Sequence, residues 1–283
     1  MRLVSFGEPG QECAGIVCDD RVVALAACGF PGSVRDLLAG DQLSAIAAAT
    51  IDPAAGVALD TVRLGPPVPD AGKIICVGLN YKAHADEQDL AWPTEPLLFA
   101  KATTAMVGCA DAIELPADDP DSIDYEVELV AVVGQRARHV ALEDAMQYVA
   151  GYMVANDVSA RRWQKGDGQW FRAKSCDTFF PCGPALVTTD EVGDYRALRL
   201  TTDIGDEHLQ DATADDLIHD LPHLIAYLSR YMTLEPGDLI STGTPSGVGC
   251  YREPRRFLRV GDTVRCAVTG LGAVVNPVIA GRA

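Results

Sequence analysis

Two glutamates, Glu126 and Glu128, stand two residues apart in Asp124-Tyr125-Glu126-Val127-Glu128-Leu129, just ahead of the apolar run Val130-Ala131-Val132-Val133 that Gly134 stops. From Val127 onward the pattern predicts a buried strand, and a strand projects residues two apart from the same face. Like charges entering a core repel, and desolvation makes each costlier. A divalent cation with oxygen ligands removes both penalties, and an all-carboxylate set favours Mg²⁺, Mn²⁺ or Ca²⁺ over zinc. Spacing alone leaves a second reading open, a strand end whose acids face solvent.

Other chemistry-bearing residues are scattered along the chain. His84 and Glu87 are three apart in Asn80-Tyr81-Lys82-Ala83-His84-Ala85-Asp86-Glu87. On a helix they would be surface neighbours, either a solvated pair or a carboxylate orienting an imidazole for general-base work. Asp157, Arg161 and Gln164 place an acid, a base and an amide within two helical turns. Asp157 reads either as a helix N-cap or as a third carboxylate beside Glu126 and Glu128. Lys174 is flanked by Trp170, Phe171, Phe179 and Phe180, so its ammonium is predicted to be desolvated and to need an anionic partner or a lowered pKa. The glycine-rich loop Gly243-Thr244-Pro245-Ser246-Gly247-Val248-Gly249 lacks the Walker lysine and the dinucleotide spacing. Its backbone N–H groups and Thr244 remain suited to a small carboxylate.

Many short strands around few helices must position these groups. A small N-terminal α+β unit is predicted over residues 1–69, with strands at Arg2 to Phe6, Gly15 to Cys18 and Arg21 to Ala26. Helices follow from Ser33 and over Asp41 to Ala49. The stiff Gly65-Pro66-Pro67-Val68-Pro69 segment leads into a second unit, residues 70–283. There the strands fall at Lys73 to Leu79, Ala185 to Thr188, Leu198 to Asp203, Leu239 to Thr242, Gly261 to Val268 and Gly272 to Val278, while Leu97 to Lys101 resumes the chain after Pro93 and Pro96 and Val149 to Asn156 is another apolar run. Helices fall at Leu142 to Tyr148 and over Asp215 to Tyr231, where Pro222 bends or divides the second. The fold class is α+β and β-rich, not a βαβ array.

Charge narrows the partners. The chain has 40 acidic and 23 basic residues, a formal net charge of −17. Nucleic acid requires a basic footprint, and the only dense basic clusters are Arg161-Arg162 and Arg252 to Arg259, read as a local anion site and a surface loop. No long charge-free apolar stretch predicts a membrane span. Nine cysteines in mostly apolar settings, without CxxC pairs, predict reduced thiols and a cytoplasmic location.

Together, VGLNYKAHADE at 77–87, DYEVELVAVVG at 124–134, GYMVANDVSAR at 151–161, RAKSCDTFFPCGP at 172–184 and LEPGDLISTGTPSGVG at 234–249 resemble the fumarylacetoacetate hydrolase family over roughly residues 70–280. The resemblance implies a mixed β-sandwich roll, a homodimer, and a Mg²⁺ or Mn²⁺ ion held by Glu126, Glu128 and Asp157. It places the catalytic His–Glu pair on His84 and Glu87, an electrostatic lysine on Lys174, and substrate contacts on Arg161, Gln164 and Thr244. The activity it implies is hydrolysis of the C3–C4 bond of a 2,4-dioxo acid, releasing pyruvate. Oxaloacetate decarboxylation and 2-oxo acid isomerisation or hydration are the alternatives on the same site. Two departures stand out. Ile204-Gly205-Asp206 replaces the family's Asn-Gly turn ahead of a glutamine, and Arg162-Trp163 stands where Asp-Trp or Asp-Val is usual.

Overall fold

Branched apolar strands and turn-forming glycines dominate the sequence, and the computed structural model, which describes residues 1–282, is β-rich as predicted. One sheet carries most of the core. Its central strand is Val127–Val133, buried along its whole length and paired antiparallel to Val149–Asn156 on one side and Leu239–Ser241 on the other. Beyond Leu239–Ser241 come Ile74–Gly78, parallel, and Leu97–Lys101, antiparallel. Beyond Val149–Asn156 comes Phe180–Thr188.

The N-terminal strands extend this same sheet. Arg2–Phe6 pairs with Phe180–Thr188, aligning Leu3 with Leu186, and Cys13–Cys18, Arg21–Ala24 and Val57–Ala58 follow outward. Ser33 caps the helix Val34–Ala39 in a reciprocal box with Asp36. A second, five-stranded sheet holds Glu207–Thr213, Arg199–Ile204, Thr263–Val268, Gly272–Ala280 and Ile113–Leu115. Its first hairpin turns on Gly205, at φ 58°, between the paired Ile204 and Glu207. A two-residue turn of that kind requires a left-handed residue, and Gly205 provides it in place of the usual Asn-Gly.

The strands Ile113–Leu115 and Glu207–Thr213 were not expected, the strand expected from Ala185 begins at Phe180, and two helical stretches also differ from the sequence expectation. Leu142–Tyr148 is a 3₁₀ helix, and the stretch from Asp215 begins with a short 3₁₀ turn, the α-helix being Leu221–Tyr231. The Asp220 carboxylate accepts from the His223 N–H at 3.0 Å and caps that helix. Pro222 therefore sits in the first turn, where its missing N–H costs nothing, and neither bends nor divides the helix. No helix among the described residues is long and apolar enough to cross a membrane, and all nine cysteines are free.

Candidate active site

Glu128 is on the central strand, opposite Ala155, while Glu126 stands just before the strand with its N–H bonded to the Asn156 side chain at 2.9 Å. Asp157 follows the neighbouring strand and donates its N–H to the Glu126 carbonyl at 2.8 Å. This pairing draws three buried carboxylates together, so that one oxygen from each of Glu126, Glu128 and Asp157 lies within 4.8 Å of the others. Asp157 is not an N-cap. The helix Arg161–Gly166 begins at Ala160 with no side-chain cap. The solvent-facing alternative for the two glutamates is likewise excluded by their burial.

Cations lie against two of the three acids. Lys174 Nζ donates to Glu126 Oε2 at 2.8 Å and to Asp157 Oδ2 at 2.6 Å, and it lies 5.1 Å from the centre of the Phe99 ring. Of the two outcomes open to a desolvated lysine, the structure has the anionic partners. Burial works against the ammonium, but Asp157 and Glu126 outweigh it and hold its pKa above the ordinary lysine range. Lys101 Nζ reaches Asp157 Oδ1 at 2.5 Å. Arg161 donates to Asp124 Oδ2 at 2.8 Å and to Gln164 Oε1 at 2.9 Å, and its other terminal nitrogen forms an ion pair with Glu126 at 2.6 Å.

The acids respond unequally. Burial alone would lift the Glu126 pKa, yet Lys174 and Arg161 outweigh it and hold that carboxyl at about 2. Glu128 has no such cation close against it. Burial, with Asp157 and Glu126 nearby, pushes its pKa well above the ordinary range, although Ser241 Oγ at 2.5 Å and the Gly243 N–H at 3.1 Å both donate to it. A divalent cation at the centre of the triad would relieve this repulsion, and three carboxylate oxygens are the donor set that a hard ion prefers. The residues fit such an ion.

His84 and Glu87 fall on the short helix Lys82–Asp86 and its C-cap. His84 is buried, its Nδ1 is 2.5 Å from Glu87 Oε1, and Glu87 Oε2 accepts the Gly247 N–H at 2.9 Å. The pair is therefore built into the glycine-rich loop and is not a solvated surface pair. The Gln88 amide stands 3.0 Å from His84 Nε2. With Glu87 accepting at Nδ1–H and Gln88 donating at Nε2, the neutral ring presents Nε2 as its basic atom. Thr244 Oγ1 accepts from Gln210 Nε2 at 2.8 Å, and Gln210 Oε1 in turn accepts from the Val127 N–H at 3.0 Å.

Seven of the nine sequence-selected residues, all but Glu87 and Asp157, line one cavity of about 610 Å³; those two sit directly behind it, hydrogen-bonded to His84 and Lys174. Sequence reading missed Lys101, Asp124, Gln88, Ser241 and Gln210. For Asp124 a signal existed, the alternation of acids at 124, 126 and 128. For Lys101 there was none beyond a lysine closing an apolar strand.

The chain is similar to known proteins of one family. The family model for fumarylacetoacetate (FAA) hydrolase, C-terminal, matches residues 73–279. A mitochondrial oxaloacetate tautomerase of Rattus norvegicus is 43% identical over 214 residues, covering 75% of this chain and 68% of the relative. The fumarylacetoacetate hydrolase of psychrophilic Exiguobacterium antarcticum superposes with a TM-score of 0.87 at 34% identity, over 99% of this chain and 100% of that one. Maleylpyruvate hydrolase of Sphingobium sp. SYK-6, solved with manganese(II) and pyruvate, superposes at 0.80 and 31% identity over the whole of both chains. This chain, its carboxylate triad and His–Glu pair gathered around one cavity, belongs to the fumarylacetoacetate hydrolase family of enzymes.

Proposed function

We infer that the chain catalyses divalent-metal-assisted proton transfer at C3 of a 2-oxo acid, interconverting keto and enol forms, with oxaloacetate as the simplest substrate. The observation that carries this reading is the buried His84–Glu87 pair, held at 2.5 Å on the same cavity as Glu126 and Glu128. The 43% identity to the rat oxaloacetate tautomerase supports it. A Mg²⁺ or Mn²⁺ ion held by Glu126, Glu128 and Asp157 would supply Lewis acidity at the substrate's carboxylate and 2-oxo oxygens.

The chain's own residues do the rest. His84 Nε2 removes the C3 proton or returns it, and Glu87 stabilises the imidazolium formed in between. Gln88 must yield its place on Nε2 to substrate, since both occupy the same lone pair. Lys174 supplies fixed positive charge near the oxygen where negative charge develops. Arg161, steadied by Asp124 and Gln164, and Thr244, steadied by Gln210, bind substrate oxygens. Family membership also supports a homodimer, which light scattering in solution would test.

A second reading is hydrolysis of a 2,4-dioxo acid. Water, deprotonated by His84, adds at C4, the C3–C4 bond breaks, and C3 takes a proton to give pyruvate and a carboxylic acid. The size of the cavity favours it. At about 610 Å³ it lies in the range of pockets for drug-sized ligands, roughly 300–1,000 Å³, and a four-carbon acid leaves most of it empty.

Both are tested by following enol absorbance of oxaloacetate and of acetylpyruvate with Mn²⁺, with Mg²⁺ and with EDTA, pyruvate being assayed in parallel. Metal-dependent ketonisation of oxaloacetate without pyruvate release supports the first reading. Metal-dependent pyruvate release from acetylpyruvate supports the second. No metal-dependent change with either substrate overturns both.

A further inference from the structure

His84 is held by more than its glutamate. Gln88 follows four residues later, one helical turn on, and both residues line the cavity. Gln88 Nε2 lies 3.0 Å from the His84 carbonyl oxygen and 3.0 Å from the Nε2 atom of its ring. A carbonyl only accepts, so the amide presents its nitrogen end, and its two hydrogens are divided between that carbonyl and the ring. Glu87 holds the opposite ring nitrogen, Nδ1, at 2.5 Å.

Proton transfer and hydrolysis ask different things of Nε2. In proton transfer it meets C3 of a bound substrate. In hydrolysis it meets a water: Nε2 takes the proton, the oxygen bonds to C4, the C3–C4 bond breaks and C3 takes a proton. That water has to lie within hydrogen-bond reach of Nε2, about 2.6–3.2 Å, and the Gln88 amide fills this position. The amide holds it better than water can. It is tethered one turn away and makes two hydrogen bonds to residue 84, whereas a water brings one bond to the ring and loses its own freedom. His84 is only 7% exposed and its other nitrogen is taken by Glu87, so water has no second open nitrogen to approach. A 2-oxo acid differs from water because its own oxygens are anchored elsewhere in the cavity, and that binding energy is available to move the amide aside.

We propose that Gln88 decides which reaction the cavity performs: it covers Nε2 against water while giving way to substrate, so that keto–enol proton transfer proceeds and C–C hydrolysis is suppressed. Gln88 is thus a positioning residue that acts through His84. The proposal rests on the proton-transfer reading above and names the residue that sets its reaction specificity.

The test uses Gln88→Ala and Gln88→Met, the second keeping the bulk of the side chain without its donors. Mn²⁺-loaded wild type and variants are assayed for ketonisation of oxaloacetate and for pyruvate release from acetylpyruvate. Both variants are expected to raise the ratio of pyruvate release to ketonisation roughly tenfold, the scale of one to two ordinary hydrogen bonds. A readout independent of turnover is carbethoxylation of His84 by diethylpyrocarbonate, which requires an uncovered neutral ring nitrogen and is followed by mass spectrometry. It should be roughly fivefold faster in both variants. An unchanged ratio with ketonisation intact overturns the proposal, and so does equal carbethoxylation of wild type and variants, which decides the matter where a variant has lost both activities. Wild type that releases pyruvate from acetylpyruvate as fast as it ketonises oxaloacetate overturns it as well. No metal-dependent ketonisation by the wild type overturns the proton-transfer reading itself, and this proposal with it.

Discussion

Lys101 Nζ sits 2.5 Å from Asp157 Oδ1, both side chains fully buried, while the other oxygen of Asp157 is held by Lys174. One carboxylate of the triad is thus compensated from two sides by cations on different elements. Removing a partner from such a pair leaves an uncompensated buried charge, which costs about 3–5 kcal/mol. Lys101→Met should therefore destabilise the metal-free protein by about that amount in urea unfolding with EDTA. With Mn²⁺ present the loss should be smaller, because the cation takes over part of the compensation. Equal losses under both conditions would count against metal binding at Asp157.

Glu128 should make metal affinity depend on pH. Its raised pKa in the folded, metal-free protein means that the folded state holds a proton that the unfolded chain has already released. Between the ordinary glutamate value, about 4.3, and the raised one, metal-free stability therefore falls as pH rises. Metal binding must expel that proton, so affinity should increase about tenfold per pH unit across the same window and level off above it. Calorimetry in buffers of different ionisation enthalpy would count the proton released. In Glu128→Gln the affinity should drop and the pH dependence should flatten.

His84→Ala should lower kcat by about 10²–10⁴ while leaving Mn²⁺ affinity intact, because the imidazole is not among the triad ligands. Glu87→Gln should cost less in kcat, since the amide oxygen can still accept from His84 Nδ1 but no longer carries the charge that stabilises a protonated ring. A full loss of metal affinity in either variant would show that the pair supports the triad instead of moving protons.

Gly247 couples the loop to the His84–Glu87 pair. It adopts φ 99°, its N–H holds Glu87 Oε2, and a Cβ built there would come within 2.1 Å of the Leu209 carbonyl oxygen. Gly247→Ala combines a left-handed backbone with a clash against main chain, so it should cost about 1–3 kcal/mol and reduce kcat by loosening Glu87. Thermal unfolding and steady-state kinetics would measure the two effects separately. Unchanged kcat would remove the loop from the orientation of His84.

Some of the site was legible in the chain and some was not, for reasons that the residues show. Glu126 and Glu128 could be found because strand periodicity is local, and two acids two apart beside Val130–Val133 are conspicuous. His84 and Glu87 were visible as a pair, but whether they stood in solvent was not, because Gly247, 160 residues from Glu87, ties the pair to the glycine-rich loop. Lys101 and Gln210 carry no local mark at all. Lys101 reaches Asp157 across 56 residues, and Gln210 reaches Thr244 across 34. The basic run from Arg252 to Arg259 read as a uniform surface loop. Folding divides it, tying Arg256 to Asp262 and presenting Arg255 to the cavity.

By itself the sequence determined the β-rich class, many strand positions, the acidic balance of charge and the paired glutamates, because side-chain alternation, turn residues and motif order are properties of neighbours along the chain. Tertiary structure decided what those groups became. It joined Arg2–Phe6 to Phe180–Thr188, turned Asp157 from a possible cap into a buried partner of two lysines, and held Glu126 at about 2 while lifting Glu128. Such outcomes depend on which distant charge shares a low-dielectric space with which, and only the packed sheets set those distances.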